Sequence, residues 1–220
     1  MRLLSPLVLL GSVLGTSSMA PITLYTNRMC PFAQRCAVAL ERAGLVYESV
    51  EVNLYGSGGG FGKAELKAVE AGGGLAPKGY VPVLAIGGAV VRESSACVRA
   101  IAAAAAPALA PGDAAAADAM IALCDGALAA EGRACVDAGR KRSPGLDRCL
   151  AEIDGRLAAT PFVAGSSFST ADAVLLPFLW RIRERLEIPA ACGRLGVYLD
   201  RECAAPTFAR TVADPWWWWW

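Results

Sequence analysis

The 220-residue chain is predicted to fold as an α/β domain built on a mixed four-stranded sheet, followed by an all-helical domain. Three observations carry that expectation. Strand-like and helix-like patterns alternate through the first hundred residues. Gly87-Gly88 separates two short apolar runs, the signal of a tight antiparallel hairpin. From Ala102 onward strand patterns cease and alanine-rich helical ones take over.

The elements follow in order. Residues 22–26 and 47–52 read as strands with a helix over 31–43 between them, a unit whose crossover is right-handed and whose strands are parallel. The apolar stripe of that helix runs Phe32, Cys36, Ala39, Leu40 and Ala43, with Gly44 as its stop and with Arg35 and Arg42 off the stripe. Residues 53–79 are glycine-rich, with Gly58-Gly59-Gly60 and Gly72-Gly73-Gly74 flanking a short helix over 63–71. They lack the spacing and strand context of a phosphate loop. Strands over 83–86 and 89–91 form the hairpin, and a helix over 92–106 follows. This order is that of a thioredoxin-like domain.

Pro107, Pro111 and Gly112 break the alanine run and place a linker over 106–113 between domains at 19–105 and 114–213. Helices are expected over 114–138, 146–158 and 171–186, with weaker segments towards Cys203. Alanine favours helix but offers little area to bury, so leucines, isoleucines and aromatics must hold the bundle together. Ser169-Thr170-Ala171-Asp172 is a capping box, read as a folding signal without a chemical role. Residues 1–18, with Arg2 and an apolar run from Leu3 to Leu14, resemble a secretory leader or part of an organelle signal, or lie upstream of a start at Met19. The tail at 214–220, five tryptophans after Asp214-Pro215, fits no folding pattern, although tryptophan favours membrane interfaces.

Composition excludes several classes. The net charge is +1 and no basic run stands out, so nucleic acid is not an expected partner. There is no histidine, which removes Ser-His and Cys-His catalysis and most zinc sites; no metal is expected. The eight cysteines form no Cys-x-x-Cys pair and are read as reduced thiols, placing the protein in the cytoplasm, or in an organelle such as a plastid if the leader is real.

Cys30-Pro31 stands where the first helix begins. Proline suits the first helical position, and the free amides of that turn, with the helix dipole, favour a thiolate at Cys30. Such placement lowers a cysteine pKa from about 8.5 to roughly 3.5–7.5. The same dipeptide suits a small buried hydrophobe equally well. Ala33 occupies the place of a second redox cysteine, and Cys36 falls on the apolar face, so a reactive Cys30 would act alone with an external thiol.

Cys30-Pro31-Phe32-Ala33-Gln34-Arg35, Val81-Pro82-Val83-Leu84, Glu93-Ser94-Ser95 and Phe162-Val163-Ala164-Gly165 resemble, in that order, motifs of the cysteine-type glutathione transferases, the omega and lambda classes and the dehydroascorbate reductases. The resemblance implies a thioredoxin-like domain with an all-α domain, glutathione as co-substrate and Cys30 as nucleophile. It also implies a cis bond before Pro82 that aims the Val81 backbone at glutathione; alone, Pro82 reads as a strand-start proline. Glu93 and Ser94 would take the γ-glutamyl end, where by themselves they read as an ordinary helix start; Phe32 belongs to the same site. Lys63 or Lys78 stands for the lysine that holds the glycine carboxylate. Phe178, Trp180 and Arg183 are candidates for a second-substrate pocket, although aromatics at helical spacing are more often core. The expected activity is thiol transfer or glutathione-dependent reduction of a small disulfide or electrophile, dehydroascorbate included. The alternatives are conjugation, which a cysteine serves poorly, and a non-enzymatic or membrane-inserting module like the chloride intracellular channel proteins. A homodimer is an expectation from the family, and membrane association is disfavoured.

Overall fold

A computed structural model describes residues 21–55, 60–139 and 141–212. The leader, Gly58-Gly59 and the tryptophan tail lie outside the described residues. Strands β1 (Thr23–Thr26), β2 (Glu48–Glu51), β3 (Val83–Ile86) and β4 (Ala89–Arg92) form one sheet in the order β2-β1-β3-β4. β1 pairs parallel with β2 and antiparallel with β3, and β3 pairs antiparallel with β4. Gly87 and Gly88 turn the hairpin with φ of 59° and 81°, the left-handed pair that a two-residue hairpin turn requires.

Helices α1 (Pro31–Ala43) and α3 (Ser94–Ala104) cover one face of the sheet and α2 (Lys63–Gly72) covers the other. α2 buries little: Leu66 packs with Val52 and Val83 in a small cluster beside Tyr25 and Phe61. The main core lies on the α1 side, where Leu24, Leu84 and Ile86 meet Cys36, Ala39, Leu40 and Val98 and run on into the helical domain. α1 starts at Pro31 and ends where Gly44 takes φ of 67°, as its sequence signals require.

The helical domain comprises α4 (Ala114–Leu123), α5 (Ala129–Asp137), α6 (Pro144–Arg156), α7 (Thr170–Leu186), α8 (Gly193–Cys203) and α9 (Pro206–Ala209). The single helix expected over 114–138 is interrupted. Residues Cys124–Leu128 form a π-helical stretch, with Gly126 at its middle. α7 runs through the centre, buried on every side from Thr170 to Ile182, and its capping box at Ser169 and Asp172 is present. Asp172 also accepts from the Val163 amide at 3.2 Å and the Tyr198 hydroxyl at 3.1 Å, so it ties three segments together.

α1 departs from its expected one-sided burial. Arg35 is fully buried, as are Ala33 and Val38, while Phe32 is 41% exposed. The reason is that α1 lies between two layers: the sheet on one side and α7 with the C-terminal segment on the other. Gln34 donates to the Thr211 hydroxyl at 3.1 Å, Arg42 pairs with Glu202, and Arg210 pairs with Glu41 at 2.6 Å across that second boundary.

Candidate functional site

Cys30 is the N-cap of α1, with extended backbone (φ −77°, ψ 118°), and its own amide donates to the Asn27 carbonyl at 2.8 Å. The turn from β1 thus delivers the sulfur to the helix start, where the Phe32 and Ala33 amides reach it. Six of the eight cysteines are buried; Cys30 and Cys203 keep part of their surface. One expectation is corrected. Burial pushes the Cys30 thiol above its ordinary range, and the amides of Ala33 and Phe32 and the charges of Arg181 and Arg35 draw it only part of the way back. The helix-start argument holds for the direction of each amide, but desolvation outweighs it. Cys36 and Cys124 sit deeper; burial takes Cys36 well above the usual range and Cys124 up to about 11.

Beside Phe32 opens a cavity of about 240 Å³ lined by Phe32, Glu70, Lys78, Tyr80, Val81, Pro82, Arg92, Glu93 and Ser94. Five residues expected at a binding site therefore share one cavity: Phe32, Val81, Pro82, Glu93 and Ser94. Cys30 is not among its lining residues and stands two positions from its Phe32 wall. The Val81–Pro82 bond is cis. Of the two candidate lysines, Lys78 reaches the cavity, with its Nζ 3.4 Å from the Glu93 carboxylate, while Lys63 lines a separate hollow with Asn53 and Glu65.

The α3 N-terminus forms the far wall. Glu93, its N-cap, takes φ of 68°, a left-handed backbone that is strained for a residue with a side chain. Ser94 accepts from an Arg35 Nη at 2.9 Å, which leaves its own O–H to donate into the cavity. Arg35 also pairs at 2.5 Å with Asp125, whose other oxygen accepts from the Ser95 hydroxyl at 2.7 Å. Asp125 lies on the π-helical stretch. Free amides and a hydroxyl suit a carboxylate; Glu93 beside them suits an ammonium. The α-amino acid end of a ligand matches both.

The floor is set by Glu70, fully buried on α2. It accepts from the Lys78 and Gly79 amides at 2.7 and 2.8 Å and faces Arg92 at 3.6 Å, so it orders the loop ahead of Val81. The sequence reading missed Glu70, Arg92 and Tyr80, together with Asp125 and Arg181. It saw Arg35 in the Cys30 motif but placed it off the apolar stripe, whereas it is fully buried.

The expected second-substrate residues do not converge. Phe178 is buried against Phe32, ring centroids 5.1 Å apart, with the Arg35 guanidinium 4.6 Å from its own centroid. Trp180 packs on Phe208 at 5.7 Å, and Arg183 pairs with Glu184 and Asp200, each at 3.3 Å. Spacings of two and five residues send these side chains to different sides of one helix. Trp180 and Arg183 serve contacts within the helical domain.

A sheet of this topology, with a cis-proline strand facing the start of the first helix and a helical domain laid against it, defines a two-domain protein of the thioredoxin-fold class. Comparison with known families narrows the class. Residues 29–104 match the family model described as glutathione S-transferase, N-terminal domain, and residues 133–201 match that of the glutathione S-transferase C-terminal domain. The chain belongs to the glutathione transferase family. No match is found among curated proteins. Among solved structures, the chain is similar to a theta class glutathione S-transferase from Xanthomonas axonopodis pv. citri with glutathione bound, at 29% identity. That match covers 90% of this chain and 100% of the other, with a TM-score of 0.72. It shares its fold with glutathione transferase Omega 1C from Trametes versicolor (24% identity, 90% and 93% covered, TM-score 0.71). An epsilon-class glutathione S-transferase from the housefly Musca domestica does likewise (18% identity, 87% and 91% covered, TM-score 0.69).

Proposed function

We propose that this chain is a cysteine-type glutathione transferase that works as a thiol transferase, with glutathione held in the Phe32–Ser94 cavity. The observation that carries the reading is Cys30 itself: a partly accessible sulfur at the N-cap of α1, with the Phe32 and Ala33 amides on it and alanine where a resolving cysteine would stand. The cavity supports it with Ser94 and Glu93 for the γ-glutamyl end and the Val81 backbone beside the middle of a tripeptide. That a structural relative was solved with glutathione bound points the same way.

The Cys30 thiolate attacks the glutathione sulfur of a mixed disulfide. A Cys30–glutathione disulfide forms and the substrate leaves as a thiolate that takes a proton. A second glutathione thiolate then attacks the glutathione sulfur of that disulfide, releasing oxidised glutathione and regenerating Cys30. The test is intact-protein mass after exposure to oxidised glutathione, run beside Cys30→Ser. An adduct that requires Cys30 is expected; an adduct retained in the variant, or none in either, overturns the reading.

The alternative reading is conjugation to electrophiles, in which the Cys30 side chain would only donate a hydrogen bond to a bound glutathione thiolate. Conjugation would survive Cys30→Ser, whereas thiol transfer would not.

A further inference from the structure

Two buried arginines approach Cys30, and they differ in one respect. Arg35 has the Asp125 carboxylate at 2.5 Å. Arg181, on α7 and 2% exposed, pairs with no carboxylate among the described residues. Its Nη1 donates to the Gln34 side-chain oxygen at 2.5 Å and to the Pro177 carbonyl at 2.9 Å, and its Nη2 to the Met29 carbonyl at 3.3 Å. Its Nε is buried with no partner. A charge kept out of water by neutral acceptors alone is costly, and burial lowers the pKa of Arg181 to about 10. The geometry locates this uncompensated charge: Met29 immediately precedes Cys30, so the guanidinium lies one peptide unit from the helix start that presents the sulfur.

We infer that Arg181 is a positioning residue for the reaction, the helical domain's counter-charge to the anionic Cys30 sulfur. It offsets the desolvation of the thiolate when Cys30 loses its proton and again when glutathione release regenerates it. Met29 and Gln34 hold the guanidinium in place, so the charge stays one peptide unit from the sulfur while the helical domain is packed on α1. The other groups facing Cys30 are Arg35 and Cys36 on α1 and Tyr55 on the loop after β2. None of these is a buried cation without an acid. Arg185, on the next turn of α7, faces Arg181 and adds to the positive field.

The inference rests on Cys30 being a nucleophile, and the experiment separates the two. The full chain is alkylated with iodoacetamide across pH 5.5–10.5, and the label on Cys30 is quantified by peptide mass. Loss of an opposite charge near a titrating group shifts its pKa by about one unit or more, so Arg181→Gln is expected to raise the Cys30 midpoint by that amount. The rate at pH 7 would fall about tenfold. Arg181→Lys, which keeps the charge, is expected to recover most of that loss. Gln34→Glu, which places a carboxylate on the guanidinium without removing it, is expected to raise the midpoint as well, and it provides the test if Arg181→Gln does not fold. Overlaid profiles for wild type, Arg181→Gln and Gln34→Glu overturn the inference, as does an Arg181→Lys profile equal to that of Arg181→Gln. A wild-type Cys30 that forms no glutathione adduct would instead overturn the proposed function.

Discussion

The two ends of the site are charged in opposite styles. At the α3 end every charge has a partner: Arg35 with Asp125, Lys78 with Glu93, Arg92 with Glu70. At the sulfur end the cation Arg181 rests on neutral acceptors, and among the described residues no acid pairs with it. A site for a zwitterion that is present throughout is built with both signs in place. A site for an anion that exists only during reaction is left positive. On the proposed function the difference separates binding from chemistry, and substitutions at each end should divide accordingly.

The largest expected effect is at the sulfur end. Cys30→Ser should lower turnover of a glutathione mixed disulfide by about 100-fold or more, since a hydroxyl cannot form the intermediate disulfide. Glutathione affinity, measured by calorimetry, should change little. At the α3 end, Asp125→Ala strands the buried Arg35. Breaking a fully buried pair costs about 3–5 kcal/mol, but Asp125 is 42% exposed, so solvent screening reduces the expectation to about 1–2 kcal/mol. Thermal denaturation should show a fall in Tm of about 2–8 °C, and glutathione affinity should drop about tenfold.

The buried thiols set a pH dependence of stability. Cys36 and Cys124 have folded-state pKa values above the unfolded value near 8.5. Their stabilisation is complete below that value and is lost as pH rises towards the folded values, because the unfolded chain releases protons that the folded chain retains. Denaturation midpoints in urea should therefore hold from pH 7 to 8 and decline from about pH 9 upward.

Glu93→Gly sharpens the comparison at smaller scale. It relieves a left-handed backbone that costs about 1–3 kcal/mol and adds back about 0.5–1 kcal/mol of glycine entropy. The variant should be about 1 kcal/mol more stable and bind glutathione more weakly; equal stability would mean that α3 starts without strain. Cys36→Ala should have the least effect, with thiol transfer within about twofold of wild type, because the resolving thiol is external.

Much of the scaffold was legible along the chain. Pro31 and Gly44 bracket α1, Gly87-Gly88 marks the hairpin, and Ser169 with Asp172 marks the start of α7, because caps and tight turns are satisfied by residues three or four positions apart. The site was legible in part. Phe32, Val81, Pro82, Glu93 and Ser94 were named from motifs, and the structure gathers them around one cavity. Asp125 was not legible, since it pairs with Arg35 from 90 positions away in an alanine-rich run that carries no periodic signal. Arg35 was misplaced for a related reason: a single apolar stripe assumes one covered face, and α1 has two.

The sequence by itself determined the order of strands and helices, the helix start at Cys30, and the absence of histidine and of a second cysteine at position 33. These are properties of near neighbours and of residue identity. Tertiary structure alone decided the electrostatics of the Cys30 thiol. Burial raises it, and the cation set beside it, Arg181, comes from 151 positions along the chain. Charge acts through space and is strengthened by desolvation, so its effect on Cys30 exists only once the helical domain packs against α1.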